Sequence, residues 1–106
     1  MQEWSWEKIN EVLAGDEVNL LYLYTPLCGT CQVAGKMLTV ITELMPNIQI
    51  GKSDLNYMPE LAEQFGIESV PCLLIFKEGE LEEKVYAFHS VPYLFEKING
   101  IFEKSK

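Results

Sequence analysis

The run VNLLYLYTPLCGTC, Val18 to Cys31, decides how this chain folds. Its first half, through Tyr24, is rich in β-branched and aromatic residues and apolar on both alternating faces, the mark of a strand buried on two sides. From Gly29 the pattern changes to helical spacing, with Val33, Met37, Ile41 and Leu44 three to four residues apart until Pro46 ends the helix. Cys28 and Cys31 sit at the junction of the two elements.

Working outward, Ser5 precedes Trp6, Ile9, Val12 and Leu13, so a helix is expected from about Ser5 to Ala14 with Ser5 as its N-cap. Trp4 and Trp6 bracket that helix start and read as a packing staple rather than a binding surface. Ile48 to Asp54 alternates weakly and reads as a half-exposed strand. A short helix is expected around Pro59 to Phe65, with Gly66 as its stop. Cys72 to Phe76 is another two-sided apolar strand. The Lys77–Glu80 turn leads into a more charged strand, Leu81 to Phe88, suited to a sheet edge. Val91, Leu94, Phe95, Ile98, Ile101 and Phe102 then mark the last helix. The order is α-β-α-β-α-β-β-α, with a parallel β-α-β unit and an antiparallel hairpin. That predicts an α/β fold, a mixed sheet between helices.

A chain of 106 residues is expected to form one domain, 1–106. Sixteen acidic residues against eight basic ones leave a net charge of -8, which repels phosphate backbones, so no nucleic-acid partner is expected. The acidic stretch Glu78, Glu80, Glu82 and Glu83 reads as a solvated edge. The longest strongly apolar run is too short to cross a membrane. The opening MQEWSWEKIN lacks the basic and then apolar regions of a secretory signal, so the expected location is cytoplasmic. There the reducing poise leaves metal binding or transient redox chemistry for a close cysteine pair.

Residues three apart on a helix lie about 5 to 6 Å apart, within the span a disulfide tolerates. Unpaired N–H groups and roughly half a positive charge at a helix N-terminus stabilise a thiolate, and can bring a cysteine from a pKa near 8.5 to about 7 or below. Cys28 then becomes a nucleophile that Cys31 can resolve. A zinc site would need four ligands, and only Cys72 and His89 remain. His89 reads as an ordinary solvated or capping residue.

Val70-Pro71-Cys72 is the second signal, because a proline opening a central strand cannot donate to the ladder. With the strand, the C-G-x-C helix, the Val-Pro, the FKEGE turn and the last helix in this order, the chain resembles the thioredoxin family over about residues 5 to 105. The resemblance implies a thioredoxin-like three-layer sandwich and a thiol–disulfide oxidoreductase that reduces protein disulfides. Cys28 would attack and Cys31 would resolve. Val70 and Pro71 would form a cis-proline segment that pairs with substrate, with Leu27, Gly29 and Thr30 beside it. Lys52 would sit under the site. No bound cofactor or metal is implied beyond the redox-active Cys28–Cys31 disulfide. The implied partners are protein disulfides and a thioredoxin reductase or similar flavoprotein donor, with the chain a monomer.

Four departures from the family pattern carry expectations of their own. Leu27 and Thr30 replace a tryptophan and a proline, so the substrate-facing surface and the reduction potential should differ. Tyr22 stands at the family's buried carboxylate, and a tyrosine is a poor base at neutral pH, so proton removal from Cys31 would need Lys52, water or the substrate. Cys72 replaces a threonine and reads as a small packing residue. Nothing before Ser5 is long enough for the family's first strand, so a four-stranded sheet is expected, with the Ile48–Ser53 strand at its edge. The alternatives are a non-enzymatic module on the same fold, and metal or iron–sulfur binding through Cys28, Cys31 and Cys72.

Overall fold

The computed structural model describes residues 1–104; positions 105 and 106 of the expected domain lie outside the described residues. The elements run β1 (Gln2–Glu3), α1 (Trp6–Leu13), β2 (Val18–Tyr24), α2 (Gly29–Leu44), β3 (Gln49–Asp54), α3 (Pro59–Phe65), β4 (Cys72–Lys77), β5 (Glu80–Val85) and α4 (Val91–Lys104). They build a five-stranded sheet in the order β1-β3-β2-β4-β5. β1, β3 and β2 run parallel, and β4 and β5 are antiparallel to their neighbours.

β2 is buried on both faces as its composition requires. Leu20 and Tyr22 face α2 and α4, while Leu21 and Leu23 face α1 and α3. β4 repeats the division, with Leu73 and Ile75 on the first side and Cys72, Leu74 and Phe76 on the second. Helices cover both faces, so each side of the sheet carries its own core.

Local chemistry fixes the element ends. Ser5 caps α1 by accepting a hydrogen bond from the Lys8 amide at 3.2 Å. Gly66 ends α3 in the left-handed region, at φ 65°, and Lys84 Nζ donates to the freed carbonyls of Phe65 and Gly66. The hairpin turns at Glu78 and Gly79, both with positive φ. A side chain at Gly79 would also strike the Leu13 carbonyl. Lys97 on α4 bonds Glu83 on β5 at 2.8 Å, which ties the acidic edge strand to the last helix.

Three sequence expectations need correction. The sheet has five strands, because Gln2 and Glu3 pair with Gly51 and Lys52 and make β3 an inner strand. The weak alternation of β3 reflects Trp4, which lies over the strand on the α1 side. Gly51 leaves room for the indole, and Ser53 donates from Oγ to the Trp4 carbonyl at 2.8 Å. Trp4 shares its core with Ile9, so it packs as the staple of α1. The second correction concerns α2. Cys31, Ala34, Leu38 and Ile41 are its buried residues, whereas Val33 is 55% exposed and Leu44 54% exposed. A small alanine, rather than the valine beside it, meets the sheet and lets the helix approach. The third is the edge strand, which ends at Val85 and leaves Tyr86 to Phe88 outside it.

Cys72 packs among the apolar residues of the α1/α3 side with no exposed surface. Burial pushes its thiol up to about 11, against a smaller opposing pull from Tyr86 and Lys84.

Two outcomes follow from this packing. Gly51→Ala drives a methyl into the Trp4 ring, and should lower stability by about 1–3 kcal/mol in urea titrations followed by tryptophan fluorescence. The Cys72 thiol stays neutral in the fold while the unfolded chain ionises it at its ordinary value. The stability it contributes is therefore full below about pH 9 and is lost as pH rises through about 11. Against Cys72→Ser, the wild type should lose about 2 kcal/mol more across that window, measured by denaturant midpoints at successive pH values.

Candidate active site

β2 ends at Tyr24, and Thr25 to Leu27 carry the chain over to the head of α2. Cys28 is the N-cap of that helix, with extended backbone angles and a sulfur that accepts from the Cys31 amide at 3.1 Å. The Cys28 sulfur thus takes the part usually played by a serine or aspartate oxygen, within the positive end of the helix dipole. Thr30 places its hydroxyl 3.3 Å from the same sulfur. Because Cys28 is bonded to Cys31 in this structure, that hydroxyl is the donor.

The two cysteines form a disulfide across a Cα–Cα distance of 5.1 Å. Their exposures differ. Cys31 is 3% exposed and packs with Ala34 and Tyr22, while Cys28 is half-buried at the surface. Around Cys28, Leu27 is fully exposed, and Gly29 and Thr30 are exposed beside it. The Val70–Pro71 peptide bond is cis. Pro71 joins Thr30, Val33, Met37 and Phe88 in lining a largely apolar groove of about 380 Å³ beside the disulfide. Val70 touches both cores and lines a second hollow near Leu55 and Ile67.

Behind Cys31 lies a cleft of about 400 Å³, lined by Tyr22, Tyr24, Lys36 and Lys52 among others. Tyr22 donates from its hydroxyl to the Cys31 carbonyl, and burial pushes that hydroxyl up to about 12. It holds the backbone of the second cysteine and carries no base at neutral pH. Lys52 lies over the Tyr24 ring at 5.5 Å and 4.0 Å from the Glu3 carboxylate. Tyr24 donates its hydroxyl to the same carboxylate. Burial first, and then the Glu3 and Asp54 charges, raise the Tyr24 hydroxyl above the ordinary tyrosine range.

Of the residues expected at the site, Leu27, Gly29 and Thr30 flank Cys28, Pro71 shares a groove with Thr30, Tyr22 and Lys52 line the cleft with Cys31, and Val70 lines the separate hollow. Glu3 and Tyr24 were missed. Their only signal is the strand at residues 2 and 3, too short for periodicity to reveal. Cys72 does not join the pair: it faces α1 and α3, with the sheet between it and Cys31. Three converging sulfurs, as the metal or cluster alternative requires, are not formed. Among the described residues no three His, Cys, Asp or Glu side chains are grouped as metal ligands would be. His89 is exposed and rests edge-on against Tyr93 at 4.6 Å between ring centres. Among the described residues no helix is long and apolar enough to cross a membrane.

A family model described as Thioredoxin matches residues 2–99. The thioredoxin-like protein YusE of Bacillus subtilis is 57% identical over 83 residues, which cover 78% of each chain. A thioredoxin of Chlamydia caviae is 30% identical over 95 residues, 90% of this chain and 92% of its own. Among solved structures, a mutant thioredoxin from Halobacterium salinarum NRC-1 superposes with a TM-score of 0.85 over 96% of this chain and 89% of its own. At 24% identity that likeness speaks for the fold alone. With one family model spanning nearly the whole length and a Bacillus relative more than half identical, this chain belongs to the thioredoxin family and is a thiol–disulfide oxidoreductase through Cys28 and Cys31.

Proposed function

We propose that the protein reduces disulfide bonds in other proteins, with Cys28 as the attacking thiol and Cys31 as the resolving one. The unequal burial of the two sulfurs carries this reading. A protein disulfide can approach half-buried Cys28, whereas Cys31 has almost no exposed surface. The Cys28 thiolate attacks one substrate sulfur, and the other leaves with the electron pair and takes a proton. Cys31 then attacks the Cys28 sulfur of the mixed disulfide, which frees the second substrate thiol and leaves the Cys28–Cys31 bond. Both steps proceed without a bound cofactor.

Leu27 and the groove beside Pro71 supply an apolar surface for the substrate segment, and the backbone at Val70 would pair with it. Lys52 supports the site from the cleft side, and Cys72 serves packing. A flavoprotein such as thioredoxin reductase would return electrons to the oxidised pair in the cytoplasm, with the protein working as a monomer.

Insulin reduction by dithiothreitol tests the activity directly. The wild type should accelerate it and Cys28→Ser should not, while Cys31→Ser should accumulate a mixed disulfide with insulin visible by mass spectrometry. A wild type no faster than dithiothreitol alone would instead make the chain a non-enzymatic module on the same fold. Thr30 supplies a second test. Its hydroxyl bonds the Cys28 sulfur, and a hydrogen bond to a thiolate favours the ionised form. Thr30→Val should slow alkylation of reduced Cys28 by roughly threefold to tenfold near neutral pH, and leave the rate at high pH unchanged.

A further inference from the structure

We infer that the exposed shoulder of α2 is a self-association surface, on which a second copy of this chain packs its own α2 antiparallel and covers the groove beside the disulfide. Val33, Met37, Val40 and Leu44 follow one another along this helix at intervals of four, three and four residues. That is the spacing of a seam between paired helices. The domain itself does not use the seam. Val33 and Leu44 are more than half exposed, Val40 is 41% exposed, and Met37 is partly buried at the margin of the core. Valine is a poor helix former, so two exposed valines on one stripe have no local cause. Single exposed apolar side chains are ordinary, whereas a continuous patch marks an interface.

The patch reaches past the helix at both ends. Near the disulfide, Val33 and Met37 line the apolar groove with Thr30, Pro71 and Phe88. At the far end, Leu44 borders a hollow of about 180 Å³ with Phe95 and Phe102 of α4.

Symmetry and charge identify the occupant. Turning a second α2 end over end about the point between Leu38 and Thr39 sets Val33 against the partner's Leu44 and Met37 against the partner's Val40. The stripe is therefore complementary to itself, as a two-fold interface requires. Lys36 and Glu43 flank it, each one position before an apolar residue of the seam. In an antiparallel pair those flanking positions face each other, Lys36 with the partner's Glu43 and Glu43 with the partner's Lys36. Both are exposed, and among the described residues neither forms an ion pair within its own chain. A partner of unrelated sequence requires no such internal match.

The partner's Leu44 then rests at Val33, on the groove beside the disulfide, and the paired form withholds the apolar surface from a substrate segment. This covering rests on the reading of that groove as the substrate surface; the pairing does not. One helix shoulder with a fringe of α4 is a small interface, so the pair is weak and exchanges with the working monomer.

Sedimentation equilibrium of the full chain from about 10 μM to about 1 mM should show the mean mass rising from one chain toward two. Val40→Gln combined with Leu44→Gln changes two exposed positions outside the groove. That variant should keep the mass of one chain throughout and retain the wild-type rate of insulin reduction at low concentration. The wild-type rate per chain should fall about twofold where half the chains are paired, and that of the variant should not. Lys36→Glu and Glu43→Lys should each weaken association about tenfold, although the second reduces the net negative charge. An equimolar mixture of the two should associate as the wild type does, because the reversed charges then face their opposites, and that recovery also shows both variants to be folded. A wild type with the mass of one chain throughout overturns the inference, as does association that survives Val40→Gln with Leu44→Gln or that Glu43→Lys strengthens. A rate per chain that stays constant while the mass doubles defeats the covering of the groove. A wild type inert toward insulin at every concentration defeats the reductase reading and the covering with it, and the mass alone then decides the pairing.

Discussion

A sulfur atom caps a helix in this protein, and the rest of the site is arranged around that fact. Cys28 stands where an uncovered turn of amides and the positive end of the α2 dipole would otherwise need an oxygen. The same bond that starts the helix therefore stabilises negative charge on the sulfur. Folding and chemistry make the same demand of one residue. β2 sets its position: the strand is locked between two cores and ends four residues before the cap, so the sulfur emerges at the sheet's carboxyl edge.

The second cysteine is held differently. Cys31 lies inside the first turn of α2, with its carbonyl tied to Tyr22 on β2 and its side chain against Ala34. One member of the pair is set by the helix terminus, and the other by the packing of helix on sheet. A small residue makes that packing close. Ala34 faces the core against the sheet.

Most of this was legible before any coordinates. The two-sided apolar runs of β2 and β4, the Ser5 cap, the Gly66 stop and the cysteine spacing each have a local cause, so a local reading finds them. What escaped had distant causes. β1 is two residues long and owes its existence to pairing with Gly51 and Lys52, nearly fifty positions away. Gly51 and Ser53 look like solvent-facing residues until the Trp4 ring is placed over the first and the Trp4 carbonyl against the hydroxyl of the second. In α2, Val33 and Leu44 fit a helical period as well as the true core positions do. Hydrophobicity alone favours the larger side chains, whereas closeness of approach favours Ala34. Glu3 and Tyr24 were hidden with β1, since nothing in the order of residues sets an N-terminal carboxylate beside the end of a strand twenty-one positions later.

The sheet also acts as a wall. Three sulfurs could in principle be joined in three ways, but Cys72 lies on one side of β2 and β4 and the other two on the opposite side. Repeated cycles of oxidation and reduction therefore return to a single cross-link. The third sulfur stays a silent passenger, unable to divert the cycle while the fold stands.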